Sequence, residues 1–341
     1  MADVLEQSFW TVGLQARKSR LRCLVAGAIV TIAVLGAANG KMALSAFSQG
    51  LAQAASGHGL EAIGEYLFHS KRLSADNTVS CESCHVPKLG YSGDRPLAVG
   101  YLGYQSNRRA PTLLGASNSS ALMWDGRALT LETQVVIPLE GPEMRVDWRE
   151  ALRALSEEAG FQERLKAARR SVIDRGIAIS ALAAYVRTIN GGYTRFDKFY
   201  GHDDANALTA QEQLGFRLFL RKASCASCHL ANAGTTSFTD GGFHVTGVGQ
   251  TNDKGRGAIT GRAEDDRAFK TPTLRSVSLR PFLMHDGGMT SLRQVVEYYN
   301  TIDRSKTPGL DPRLKPLLLS DAEIDAIVAF LKTLTPDEAA R

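Results

Sequence analysis

Cysteine is scarce in this chain of 341 residues, with five in all. A secreted disulfide scaffold is shorter and far denser in cysteine, so that class is excluded. Long membrane-spanning runs are missing too. The apolar stretch Cys23–Ala38 holds sixteen residues, and a helix of that length covers roughly 24 Å, short of the ~30 Å hydrocarbon core. Net charge is small, at +5. Arg17, Lys18, Arg20, Arg22 and Lys41 against Asp3 and Glu6 place +3 of it in the first 41 residues, leaving +2 for the rest. A nucleic-acid partner gains no support from that balance. Period-2 alternation is rare as well, which argues against a β architecture. With 44% apolar and 22% charged residues, the composition is that of a folded globular protein.

What is present begins with a leader. Arg17 to Arg22 form a basic cluster ahead of the apolar stretch, and Gly36-Ala37-Ala38 supply small residues at its exit. That order reads as an export signal or an uncleaved anchor with its basic end inside, and it puts the remaining chain in the periplasm.

The rest of the chain repeats itself. Pro111-Thr112-Leu113 through Trp124-Asp125-Gly126 to Leu131 matches Pro272-Thr273-Leu274 through His285-Asp286-Gly287 to Leu292 at a constant offset of 161 residues. Gly64 with Leu67-Phe68 likewise matches Gly215 with Leu218-Phe219, and a cysteine pair follows each. The cysteine offset is 144, so the second copy carries 17 extra residues before its Pro-Thr-Leu, glycine-rich near 241–261 and read as loop. Ala178–Asn190 reads as a helix stopped by Gly191-Gly192. Thr209 with Glu212 and Ser320 with Glu323 offer capping boxes, the second opening a helix with Ile324, Ile327, Val328 and Leu331 on one face. With a Cys-x-x-Cys-His sequence in each copy, at Cys81–His85 and Cys225–His229, the expectation is a mostly α tandem duplication of two cytochrome c-type haem domains, 58–200 and 201–341, behind a leader of 1–57.

The haem assignment rests on the cysteines. Cys81-Glu82-Ser83-Cys84-His85 and Cys225-Ala226-Ser227-Cys228-His229 are both Cys-x-x-Cys-His. Two thiols at that spacing can each add to a haem vinyl group, while the adjacent histidine reaches the iron. A zinc ribbon brings its pairs within about 15–20 residues, whereas these lie in separate repeats. A thioredoxin-like pair gives no reason for two copies.

The second axial ligand decides what each haem does. Leu292, Val295, Val296 and Tyr299 fall on one helical face, and Tyr299 can place a phenolate on iron. Its counterpart at the repeat offset is Pro138, on the face of Leu131, Gln134 and Val135, and proline has no donor atom. One iron is thus closed and the other left open beside an amide. Met284 and Met289 are rival ligands for the second haem, though methionine commonly fills cores. His285 aligns with Trp124 and reads as an inter-haem or packing residue. His58 and His69 read as surface or packing residues, and His202 and His244 fall in loop-like sequence.

These motifs, with Arg109-Ala110-Pro111-Thr112, Trp124-Asp125-Gly126-Arg127, Thr271-Pro272-Thr273-Leu274-Arg275 and Met284-His285-Asp286-Gly287, resemble the bacterial di-haem cytochrome c peroxidase and MauG family from about residue 58 to the end. The resemblance implies that the amino-terminal haem reacts with hydrogen peroxide and the carboxyl-terminal haem exchanges electrons, with Trp124 between them. It implies a distal pair of Gln134 and Glu143. The spacing between those two is one residue shorter than the family pattern, with Glu140 as the alternative. Residues 86–109 contain no histidine, where the peroxidases usually carry a distal one, so the first iron is expected to be open without prior reduction. Tyr299, where peroxidases place methionine, is the MauG pattern. The family binds calcium partly through an asparagine at the place of Arg109, and a cation beside calcium is unfavourable, which leaves that ion uncertain. Three donors fit the resemblance: a partner protein oxidised on its side chains, a small cytochrome c, or a cupredoxin. A non-catalytic di-haem carrier is the remaining alternative, and the Pro138/Tyr299 asymmetry speaks against it.

Overall fold

Each repeat folds around a crossing of its first and last helices, and a glycine permits the crossing. In the computed structural model, which describes residues 59–201, 204–229 and 237–337, the first repeat opens with helix α1 (59–69). It buries Ile63 and Leu67, one turn apart, together with Phe68. The closing helix of that repeat, Arg175–Thr188, is capped by Asp174, whose carboxylate accepts from the Ile177 amide at 2.7 Å. The expected helix over 178–190 is therefore present but begins and ends earlier. Where the two helices cross, a Cβ added to Gly64 would lie 1.9 Å from the Ala181 carbonyl oxygen. In the second repeat the crossing recurs between Ala210–Leu220 and Asp321–Lys332, with Gly215 placed 1.9 Å from the Ala326 carbonyl by the same measure. Both expected capping boxes form, Thr209 with Glu212 and Ser320 with Glu323, and they fix where these helices start.

Between the crossing helices lie turns that match at the same offset of 161. Bridges pair Leu122 with Ala128 and Leu283 with Met289. Met123 and Met284 adopt positive φ, at 67° and 65°, and Gly126 and Gly287 follow at 72° and 69°. Helix Leu131–Glu140 is capped by Thr130 and its counterpart Leu292–Asn300 by Ser291. Two apolar cores result. One is built on Phe68, Leu155, Phe161 and Leu182, the other on Phe196, Phe219, Phe238 and Phe330. Phe196 belongs to the short helix Arg195–Gly201, so the change of core comes between Ile189 and Phe196, a few residues ahead of position 200.

The repeats face each other with reciprocal contacts. The Arg109 amide donates to the His285 carbonyl at 2.8 Å, and the Lys270 amide donates to the Trp124 carbonyl at 2.8 Å. Residue 270 is the repeat counterpart of 109, and 285 of 124, so each contact is the other with the copies exchanged, the mark of a pseudo-two-fold arrangement. The glycine-rich insert is only partly loop. Phe243–Val245 pairs antiparallel with Ala268–Lys270, and Gly257–Thr260 forms one helical turn. The insert also fastens the repeats together, because Asp253 accepts from Arg108 at 2.6 and 2.8 Å and Arg256 donates to the carbonyls of Asp125 and Gly126. Among the described residues no helix is long and apolar enough to cross a membrane. The leader, with Cys23, lies outside the described residues.

Candidate functional site

Each Cys-x-x-Cys-His sequence closes a single helical turn, with the His85 amide bonded to the Cys81 carbonyl and the His229 amide to the Cys225 carbonyl, both at 2.9 Å. The turn aims the two thiols and the imidazole into one cleft. All four cysteines are free thiols, and burial pushes those of Cys81 and Cys225 up to about 12. His229 Nδ1 lies 2.9 Å from the Phe238 carbonyl and His85 Nδ1 3.3 Å from the Tyr91 carbonyl. A carbonyl partner holds the proton on Nδ1 and leaves Nε2 free as a ligand. Burial pushes His85 down to about 4 and lowers His229 as well, so both rings are neutral at physiological pH, as a metal ligand must be.

Two clefts of ≈ 1300 and ≈ 1280 Å³, open mouths included, contain these motifs. The first is lined by Cys81, Cys84, His85, Trp124, Gln134, Pro138 and Glu143. The second is lined by Cys225, Cys228, His229, Tyr299 and Trp124. The four cysteines, His85, His229, Gln134, Glu143 and Tyr299 therefore each face a cleft, and Trp124 faces both. Trp124 and Arg109 are the two residues that the linings share among the described residues. The Trp124 indole N–H donates to the Arg109 carbonyl at 2.8 Å, and the Arg109 guanidinium lies over the indole at 5.6 Å.

The clefts differ where the repeats differ. Leu292, Val295 and Tyr299 of one helix line the second cleft, while Tyr298 turns away and donates to the Thr246 carbonyl at 2.8 Å. In the first cleft Pro138 stands at the position of Tyr299, and His85 is the one histidine of the described lining. Met284 also lines the second cleft, but its counterpart Met123 lines the first, so methionine does not account for the asymmetry. Met289 packs against the second core. Tyr299 is half-buried, and desolvation raises its phenol well above the ordinary value; a bound cation is what would bring it down.

Glu143 and Glu140 are told apart by geometry. Helix Leu131–Glu140 ends at Gly141, and the following turn carries Glu143 into the cleft, its carbonyl accepting from the Tyr101 amide at 2.7 Å. Glu140 points outward, where Trp148 Nε1 donates to it at 2.9 Å and Arg175 Nε at 2.7 Å. Gln134 is buried, and its Oε1 has no partner. His69 bonds Glu82 at 2.7 Å. His285 stacks on Phe269 at 3.6 Å and meets Trp124 edge-on at 6.2 Å, in the inter-cleft position that its alignment with Trp124 implies. His244 lines the second cleft between Asp240 and Asp311, and His58 and His202 lie outside the described residues.

Comparison with known proteins follows the two-repeat division. Residues 59–205 match the family model for di-haem cytochrome c peroxidase and residues 213–335 that for cytochrome c. The methylamine utilization protein MauG of Methylorubrum extorquens is 37% identical over 284 residues, covering 82% of this chain and 79% of that protein. The chain belongs to the di-haem cytochrome c peroxidase and MauG family. A cytochrome c551 peroxidase of Nitrosomonas europaea is 33% identical, with 81% and 80% covered. Among solved structures, a MauG-like protein associated with microbial copper homeostasis superposes with a TM-score of 0.75 at 26% identity, covering 83% of this chain and 91% of that one.

As a member of this family the protein is a haem-dependent oxidoreductase with two c-type haems, and its residues fit them. Each cleft offers two thiols and a neutral imidazole, and each holds a buried polar atom without a protein partner, Gln134 Oε1 in the first and Arg280 Nε in the second. Calcium fits less well. Ser92 Oγ at 2.7 Å and the Met284 carbonyl at 3.1 Å are oxygens of the kind calcium takes, and both are already held by the Arg109 guanidinium. Sequence reasoning passed over Arg280 because its counterpart in the first repeat is Ser119, so the duplication gave no signal there.

Proposed function

We propose that this protein activates hydrogen peroxide in the first cleft and oxidises a partner protein by way of Trp124 and the second cleft, as in the MauG branch. The asymmetry of Pro138 and Tyr299 at one repeat position carries this reading, because the same fold leaves one ligand position open and fills the other. Haem iron, when bound, supplies peroxide binding and the two-electron oxidation. His85 and His229 would ligate the iron, the four cysteines would anchor the haems covalently, and Tyr299 would supply a further ligand to the carboxyl-terminal haem. In the first cleft Glu143 would carry a proton from one peroxide oxygen to the other. Gln134 orients the peroxide through its unpartnered Oε1. Trp124, common to both linings, serves as the relay between the clefts. An anionic oxygen ligand from Tyr299 favours the oxidised forms of iron, which suits holding oxidising equivalents for a protein substrate. The partner is met in the periplasm, with the segment 1–57 directing export or anchoring.

The ferric protein is expected to show one high-spin and one low-spin haem by electron paramagnetic resonance, and one equivalent of peroxide should consume both signals together. Two low-spin haems indifferent to peroxide would leave a plain electron carrier. Loss of the high-spin signal alone, with rapid recovery on adding a reduced small cytochrome c or cupredoxin, would favour the peroxide-scavenging reading that the cytochrome c551 peroxidase relative represents.

A further inference from the structure

Two arginines lie buried along the second cleft, and of the two only Arg109 feels the charge of an acid, Asp286. Arg109 and Arg280 are 3% and 5% exposed, and neither forms a salt bridge among the described residues. Arg109 donates to Ser92 Oγ and the Met284 carbonyl. Arg280 donates from Nη1 to the Thr273 carbonyl at 2.9 Å and from Nη2 to the Arg275 carbonyl, while its Nε has no partner. Burial lowers Arg109 to about 10, and burial together with the charge of Arg109 lowers Arg280 to about 9. Two like charges within electrostatic reach, desolvated and bonded only to neutral oxygens, are costly unless an anion completes them. Both line the second cleft, and Arg109 lines the first as well. Lys270, without a salt bridge among the described residues, Arg313 and Lys315 add further cations to the second lining, whereas its one carboxylate, Asp311, is taken by Arg313 and His244.

We propose that Arg280, with Arg109 beside it, is the seat for a propionate carboxylate of the haem in the second cleft, and that Arg109 extends that seat toward the first. The haem then brings the anion that Arg280 lacks, and the guanidinium fork meets it with paired donors. Arg280 is a positioning residue on this view: it keeps the propionate ionised and neutralised, and so sets the potential of the carboxyl-terminal haem. The inference holds whichever donor the enzyme uses.

The test is a spectroelectrochemical titration of the carboxyl-terminal haem in the holoprotein across pH 5 to 9, for the native chain, R280Q and R280K. In R280Q the reduction equilibrium should shift at least tenfold toward the oxidised haem. It should also gain a pH-dependent slope absent from the native curve, as the released propionate begins to titrate. R280K should keep the native slope. Arg109 with Asp286 near it, His229, His244, Lys270, His285, Tyr299, Asp311, Arg313 and Lys315 face the same cleft or act on it and are common to all three proteins, so the difference isolates the carboxylate. A potential and slope equal to native in R280Q would overturn the proposal, and so would a lowered potential with no new slope, which is the mark of a remote charge. Should R280Q fail to incorporate haem, resonance Raman of R280K decides. A propionate bending band displaced from its native position supports the seat, and an unmoved band overturns it.

Discussion

At the scale of single residues, the difference between Glu143 and Glu140 is a difference of direction. Both acids lie close together at the end of one helix, yet Glu143 faces the first cleft while Glu140 is bonded to Trp148 and Arg175 on the outside. Glu143→Gln is therefore expected to slow the reaction with peroxide by about 10²–10⁴-fold and to leave the ferric spectrum unchanged. Glu140→Gln should change that rate no more than a few-fold. Stopped-flow mixing with peroxide measures both, and equal losses in the two variants would remove Glu143 from its role. The two Cys-x-x-Cys-His sequences were legible because the motif is local and its chemistry needs no fold. The choice between two nearby glutamates was not, because it depends on where a turn leaves the helix.

The helix crossings carry the prediction at the scale of elements. Gly64 and Gly215 stand where two backbones touch, and no other side chain fits there. Gly215→Ala should destabilise the holoprotein by about 1–3 kcal/mol, the usual range for overpacking, read as a lowered thermal midpoint. Gly201→Ala is the control, since its added methyl meets nothing within 4 Å among the described residues. A Gly215→Ala midpoint equal to that of the control would show that the crossing has slack. The capping boxes and the periodic face of the last helix were legible because caps and the 3.6-residue period are properties of a local segment. The insert was read as loop because its glycines obscure strands of three residues each. Those strands form only by pairing with each other, across a separation in sequence that composition does not encode.

For the whole molecule, the decisive contacts cross from one repeat to the other. Arg108 is bonded to Asp125 at 2.6 Å and to Asp253 of the insert at 2.6 and 2.8 Å, and Arg127 closes on Asp125 as well. Burial opposes the charge on both carboxyls, but the arginine hydrogen bonds outweigh it, and both ionise below their ordinary range. Such groups stabilise the fold fully above the unfolded value of about 3.9. Their contribution is lost as pH falls through the lower folded values, where folding no longer excludes protons. Denaturation midpoints should thus fall on acidification below about pH 4. Asp253→Asn should flatten that acid limb and cost about 1.5–3 kcal/mol near neutrality, the range for a hydrogen bond to a charged group. An unchanged acid limb in Asp253→Asn would show that this pair does not join the repeats.

Sequence alone determined the duplication, the two Cys-x-x-Cys-His motifs and the unlike residues at positions 138 and 299. Each of these is either a covalent motif or a register between two copies of one segment, and both are one-dimensional facts. Only the tertiary structure decided that Trp124 and Arg109 line both clefts, that Glu143 turns inward, and that Arg280 is buried without an acid. Those are relations between residues distant in sequence. They arise when two copies pack face to face, and burial, direction and unmet charge exist only after that packing has excluded water.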